Sequence, residues 1–345
     1  MIAASVNRRR QRILVILTLA LPISFLLALA LGTISIPWLD TLAVLSGNSE
    51  ANKAALVIEQ IRLPRAILAA IVGAILGVTG ATTQGLFRNA LADPSLIGVT
   101  SGASAGAALA IFFAGELLVL TGLSGLGLVS LGAFIGGALA VIIVYALATN
   151  QHGTSVATML LAGIAITALA TSLTSLLEFF GDDEMLRRIT IWRMGGLDGA
   201  NYQRVWAALV GGGLVILLLP RFATALNALL LGESEARHLG LSVQKIKIQL
   251  ILLVALGVGV SVALAGTIAF IGLVVPHIVR LLIGPDHRYL LPASAIGGAI
   301  LLLLSDTVAR TALSPIELPV GLITALLGAP FFISLLRHRR EYGMR

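Results

Sequence analysis

Gly102-Ala103-Ser104-Ala105-Gly106 fits GxSxG, the spacing that lifts a nucleophilic serine onto a sharp turn, and on that ground alone would suggest an intramembrane serine protease. A serine nucleophile needs a base to take its proton. None of the five histidines, His152, His238, His277, His287 and His338, falls at mid-depth in another apolar run with an evident partner. Small residues also continue through Thr100, Ser101, Ala107 and Ala108, so a tight helix-packing face is the better reading, and no catalytic residue is assigned. The histidines show no HExxH or related spacing and the chain has no cysteine, so no metal site is expected. Lys53, Lys245 and Lys247 are the only lysines and none closes a GxxxxGK[ST] loop, so nothing here cradles a nucleotide in that way. ATP-driven work would need an ATPase on another chain. Asp306 and Arg310, four residues apart, are placed to pair on one helix face. Nothing resembles the buried acid and histidine relay of a proton-coupled carrier. A stand-alone secondary transporter is thereby disfavoured, with sodium coupling through carbonyls and hydroxyls left open.

The elements that must hold these residues are set by composition. With 58% hydrophobic and 11% charged residues in 345, the chain has more apolar surface than one water-facing core can hide. Runs of about 18 or more nearly uncharged residues match the length of a helix crossing roughly 30 Å of hydrocarbon. The spacing predicts about ten spans in one all-α, polytopic membrane domain over residues 1–345. They are Ile13 to Ile36, Pro64 to Phe87, Leu96 to Ala114, Leu126 to Ala148, Ser155 to Phe179, Tyr202 to Leu219, Ile248 to Ala265, Ile268 to Ile283, Leu291 to Val308 and Pro319 to Leu336. The first run lacks a convincing small-x-small cleavage site and is read as a span rather than a leader. Two connecting segments, Pro37 to Leu63 and Glu178 to Arg204, read as ordered surface, and Arg221 to Lys247 as short amphipathic helices. Glycines such as Gly73, Gly77 and Gly80, or Gly132, Gly136 and Gly137, read as packing faces. Arg88 to Gly98 and Arg280 to Pro292 echo one another, each an Asp-containing turn after a Gly-rich span.

An even number of spans puts both termini on one side. If that side is the cytoplasm, 15 of the 23 Lys and Arg and 5 of the 16 Asp and Glu lie inside, for a net +10. The remaining 8 basic and 11 acidic residues leave the outside at −3. The positive-inside rule selects this orientation. The formal charge of +7 is then topological, and nucleic acid is not an expected partner.

Several segments taken in order resemble the FecCD-type permease family, whose ABC importers take up iron chelates, heme and vitamin B12 with a periplasmic binding protein. They are Ile61-Arg62-Leu63-Pro64-Arg65, Gln84 to Asn89 running into Leu91 to Gly98, Gly266 to His277, and Glu317-Leu318-Pro319-Val320-Gly321. The resemblance covers nearly the whole chain. It implies the vitamin B12 importer permease fold in a bacterial inner membrane, two copies around a path, and two ATPase subunits that hold ATP and Mg. No cofactor of its own is implied.

The same resemblance implies site residues. Arg62, Arg65 and Arg310 match positions that receive carboxylates of the binding protein, although each could instead anchor a helix end at the headgroups. Leu231, Gly232, Glu233, Glu235, Ala236, Arg237 and Gly240, within a cytoplasmic segment of about 221–247, resemble the coupling helices that seat in the ATPase. Small Ala236 and Gly240 would allow a close seat there; a solvated connector is the plain alternative. Gln84, Phe87, Asn89, Gln151, Thr154 and Ser155 fall near the family's inner gate. Asp182 to Leu197 looks most like members that import heme. There Arg187, Arg188 and Arg193 would attract propionates, dock the binding protein, or pair with Asp182, Asp183 and Glu184. Heme is favoured over ferric siderophores and cobalamin.

Overall fold

Within hydrocarbon every peptide N–H and C=O has to be satisfied internally, which leaves helices or closed barrels. The chain takes the first option. A computed structural model describes residues 2–34, 36–47, 53–115, 125–150 and 153–341, with side chains over 8–34, 36–47, 54–115, 125–150 and 153–334. The helices in chain order are α1 (Ile2–Ala30), α2 (Trp38–Leu45), α3 (Lys53–Val57), α4 (Leu63–Leu86) and α5 (Val99–Phe112). They continue with α6 (Gly125–Ala148), α7 (Val156–Phe180), α8 (Asp183–Arg193), α9 (Tyr202–Leu218) and α10 (Ala223–Leu231). The last five are α11 (Glu233–His238), α12 (Val243–Ala265), α13 (Ile271–Ile283), α14 (His287–Thr311) and α15 (Val320–Glu341). A two-stranded hairpin, β1 (Thr149–Asn150) with β2 (Gly153–Thr154), joins α6 to α7.

Among the described residues seven helical stretches are long and apolar enough to cross a bilayer, and α5, α13 and the start of α15 are shorter apolar helices. Together they occupy all ten expected spans. Departures are local. The first span is helical from Ile2, so Arg8, Arg9, Arg10 and Arg12 ride on its opening turns, and it stops at Ala30 rather than Ile36. The third and eighth spans are shorter than expected. α13 has 13 residues, about 20 Å at 1.5 Å per residue. The chain reaches it through Thr267 to Phe270, which is not helical. Both bends need unusual backbone, with Gly266 at φ +65° and Phe270 at φ +68°.

Glycine faces decide the packing. α4 is the central helix, 78% of its most apolar window being buried, against 17% for α1 and α7. A Cβ on Gly77 would lie 2.0 Å from the Ser294 carbonyl oxygen of α14, and one on Gly73 2.3 Å from that of Gly298. α5 and α6 meet in the same manner, Gly102 against Gly136 and Gly106 against Gly132. In lipid there is no hydrophobic gain in bringing helices together, so this close approach of backbones holds them. Gly77→Val is therefore expected to cost at least about 1–3 kcal/mol, the usual penalty of overpacking, and to lower the melting temperature of the detergent-purified protein.

The two echoing turns are built alike. Asp93 accepts the N–H of Ser95 at 2.8 Å and Asp286 that of Arg288 at 3.1 Å, each capping the helix that follows.

Candidate functional site

Among the described residues three places gather polar groups: the end of the bundle far from the Arg-rich start of α1, a cavity beside α5 and α7, and the basic end.

At the far end Arg62, Arg65 and Arg310 come together, but not as open forks. They are 4%, 7% and 5% exposed, and their donors are used internally. Arg65 meets Asp306 at 2.9 Å and Glu317 at 2.7 Å. Arg310 donates to the other Asp306 oxygen at 3.0 Å, the helix-face pair expected from the sequence, and to the carbonyls of Ala28 and Leu31 at 2.8 and 3.0 Å. Arg62 donates to the carbonyls of Leu29 and Ala30 at 2.6 and 2.8 Å and to that of Ile34. The last carbonyls of a helix have no partner inside it and carry the negative end of its dipole. The guanidiniums of Arg62 and Arg310 cap that end of α1. Gly32 leaves the room, since a Cβ there would lie 2.7 Å from Arg62 Nη2. Glu317, its side chain 37% exposed, is the part of the cluster that reaches water.

The cavity, about 650 Å³, lies between α5, α7 and the broken backbone at Thr267 to Phe270. Non-helical backbone is tolerated at membrane depth where it lines such a space. Polar groups on the wall include Ser101, Ser104, Thr167, Thr171, Arg193 and Asp93. The Ser101 and Thr167 hydroxyls bond to each other at 2.9 Å, joining α5 to α7 at the wall. Ser104 donates to the Thr100 carbonyl at 3.0 Å, on the face of α5 away from Gly102 and Gly106. Ser104 is thus a mid-helix serine on the cavity wall, not a serine on a sharp turn. Arg193 ends α8 at the rim and pairs with Glu178 at 3.3 Å. Arg187 and Arg188 are exposed, and no salt bridge to Asp182, Asp183 or Glu184 is formed by either among the described residues.

At the basic end Gln84 is buried, donating to the Leu273 carbonyl at 3.2 Å and accepting from Arg280 at 3.0 Å. Phe87 and Asn89 lie beyond it on the turn that closes α4, Phe87 half-buried and Asn89 exposed, with the Asn89 amide oxygen accepting the Leu91 N–H at 2.9 Å. Thr154 is buried in the hairpin, and exposed Ser155 caps α7 by accepting the Thr158 N–H at 3.3 Å. Gln151 lies outside the described residues. Gln84 with the turn and Thr154 with the hairpin thus sit at one end of the bundle, in separate hydrogen-bond clusters.

The segment expected to meet an ATPase is helical, as short helices α10 and α11, but its faces are distributed differently from the expectation. Ala236 is fully buried and Gly232 is buried too, so they are turned into this chain and its smallness at 236 serves an internal seat. Glu235, Arg237 and Gly240 are exposed, flanked by Leu231 and Leu239 at 67% and 64% exposure. Glu233 turns back to Lys247 at 2.9 Å. Nothing in the sequence marked Lys247 as a contact residue, because its partners lie 14 and 93 residues away in the chain.

Asp286 lies in the turn before α14. Burial pushes its carboxyl up, but the Asn227 amide at 2.7 Å, the Arg288 N–H and the charges of Arg10 and Arg288 outweigh this and hold it below its ordinary 3.8. A depressed acid adds stability above its unfolded value and loses it as pH falls through the folded one. The tether from Arg10 to Asp286 is thus expected to be intact at neutral pH and lost only under strong acid. Asp286→Asn should flatten the acid limb of the melting-temperature profile. No cluster of His, Asp or Glu with metal-binding geometry occurs among the described residues.

Residues 19–338 match the FecCD transport family. The chain is 44% identical over 286 residues to the hemin transport system permease protein HmuU of Yersinia pestis, covering 81% of this chain and 83% of that one. It is 45% identical over 290 residues to the cobalamin import system permease protein BtuC of Halobacterium salinarum, covering 83% and 74%. The vitamin B12 import system permease protein BtuC of Klebsiella pneumoniae is 41% identical over 343 residues, covering 98% and 97%. A solved metal-chelate type ABC transporter in an inward-facing conformation superposes with a TM-score of 0.83 at 34% identity, covering 95% of this chain and 99% of that one.

Proposed function

We propose, since this chain belongs to the FecCD transport family, that it is the permease through which an ABC importer moves heme across a bacterial inner membrane. The family and the fold make it a multi-pass transport permease. The finer reading has two copies around a path, both termini in the cytoplasm, and two ATPase subunits on the basic end that hold ATP and Mg. A periplasmic binding protein delivers substrate at the far end.

The observation that carries the reading is the exposed face of α11 between Leu231 and Leu239. It is the segment that resembles a coupling helix, and it offers apolar anchors in a charged surround. At the far end the exposed Arg187 and Arg188, with Arg193 on the cavity rim, favour heme, since guanidinium forks suit propionate carboxylates. The named function of the Yersinia pestis relative agrees. For the binding protein, the docking role expected of Arg62, Arg65 and Arg310 narrows to Arg65, whose partner Glu317 reaches the surface. Arg62 and Arg310 hold α1 behind it. The permease makes and breaks no substrate bond: closure of the ATPase pair shifts the population between outward- and inward-open states.

The substrate is tested by uptake of radiolabelled heme into cells carrying this permease with its ATPase and binding protein, competed by unlabelled heme, a ferric siderophore or cobalamin. Competition by heme alone supports the reading. ATPase-dependent uptake of labelled cobalamin but not heme would keep the importer and change its cargo. Uptake indifferent to the ATPase would point to a secondary transporter.

A further inference from the structure

We infer that Lys247 is the positioning residue that links coupling helix α11 to the hairpin β1–β2, so that a displacement of α11 is handed to the start of α7. The inference rests on the reading of α11 as the ATPase-facing element. Its evidence is separate from that reading.

Lys247 stands in the second turn of α12 and is 4% exposed. Burying an ammonium is costly unless its donors are met. Here Nζ donates to the Thr154 carbonyl at 2.6 Å and to Glu233 Oε1 at 2.9 Å. Those acceptors lie 93 and 14 residues away in the chain, on the hairpin and on the first residue of α11. Gln244, one turn earlier on α12, grips the same threonine: its Oε1 accepts the Thr154 N–H at 3.1 Å and its Nε2 donates to Thr154 Oγ1 at 2.6 Å. The hairpin is therefore clamped to α12 at one residue, and the clamp carries one further arm, to α11.

Each end of this link is a short element set off by its own turn or cap. α11 is flanked by Gly232 at φ +127° and Gly240 at φ +83°, backbone that L side chains rarely adopt. At the other end Thr154 precedes Ser155, the cap of α7, and α7 carries Thr167 and Thr171 on the cavity wall. A leucine or methionine at 247 would fill the space. Only a long cation can hold a carboxylate on one element and a carbonyl on another, by charge-assisted bonds stronger than neutral ones.

The chain has no cysteine, so Ser155→Cys gives a single label position beside the hairpin. In the permease–ATPase complex the rate of maleimide labelling at this site is compared between nucleotide-free and ATP–vanadate-trapped states. With Lys247 the two rates are expected to differ by about ten-fold, the scale of one charged hydrogen bond. In Lys247→Met they should become equal while basal ATP hydrolysis persists, an effect that a merely structural residue would not produce. A nucleotide-dependent difference that survives Lys247→Met overturns the inference. Isolated permease supplies the second test, needed if the variant or the complex fails to assemble. There Glu233→Gln should raise labelling at Ser155→Cys without any ATPase present, and unchanged labelling overturns the link. Failure of the complex to form with wild-type chain counts against the functional reading instead, and leaves this second test to decide.

Discussion

Asp306→Ala is expected to remove most of the folded permease from the membrane. Asp306 is 1% exposed and accepts from two arginines at once, Arg65 on α4 and Arg310 on its own helix. Arg62 lies in the same buried cluster, with Gly32 between it and Arg310. Removing the carboxylate leaves Arg310 buried without a compensating charge and Arg65 with Glu317 alone, and deleting one member of a buried pair costs about 3–5 kcal/mol. Net stabilities are typically about 5–15 kcal/mol, so such a loss consumes a large share. Glu317→Gln is the milder comparison, because that side chain is 37% exposed and Arg65 keeps its buried partner Asp306 when Glu317 loses its charge. Fluorescence size-exclusion of tagged variants and their melting curves should show Asp306→Ala aggregated or strongly destabilised and Glu317→Gln close to wild type. Equal stability of the two would mean that the cluster holds nothing together.

Leu239→Glu should separate the permease from its ATPase while leaving the permease folded. Leu239 and Leu231 are 64% and 67% exposed on either side of the charged helix α11, outside the long apolar stretches α9 and α12. Apolar anchors at the centre of an interface typically cost about 2–4 kcal/mol on truncation, roughly 30- to 1,000-fold in affinity. A glutamate there also places a charge in the seat. Titrating labelled ATPase onto permease in nanodiscs should show this weakening, with an unchanged melting temperature of the permease alone. Wild-type affinity in Leu239→Glu would move the docking surface elsewhere.

The bundle was largely legible in the chain because lipid enforces one answer for each long apolar run. Pro64 to Phe87 and Tyr202 to Leu219 came within a residue of α4 and α9. The broken backbone at Thr267 to Phe270 was not legible, since Ile268, Ala269 and Phe270 are as apolar as a helix and hydropathy carries no backbone angle. The arginines were found, but their burial was not. An Arg at a helix end reads as a surface group until the carbonyls of Ala28 to Leu31 are known to lie beside Arg62 and Arg310. Ala236 was noticed for its size, yet which way a small residue faces on a six-residue helix is decided by its neighbours in space. Lys247 shows the same limit: the pattern along α12 marks a basic residue near the membrane edge, and only the fold brings Thr154 and Glu233 to it.

The most direct test is heme accumulation in proteoliposomes holding this permease and its ATPase, with ATP and heme-loaded binding protein added or withheld. Uptake that requires all three, with hydrolysis stimulated by the loaded binding protein, is the expected result. Heme entry that proceeds equally without ATPase or ATP would contradict it.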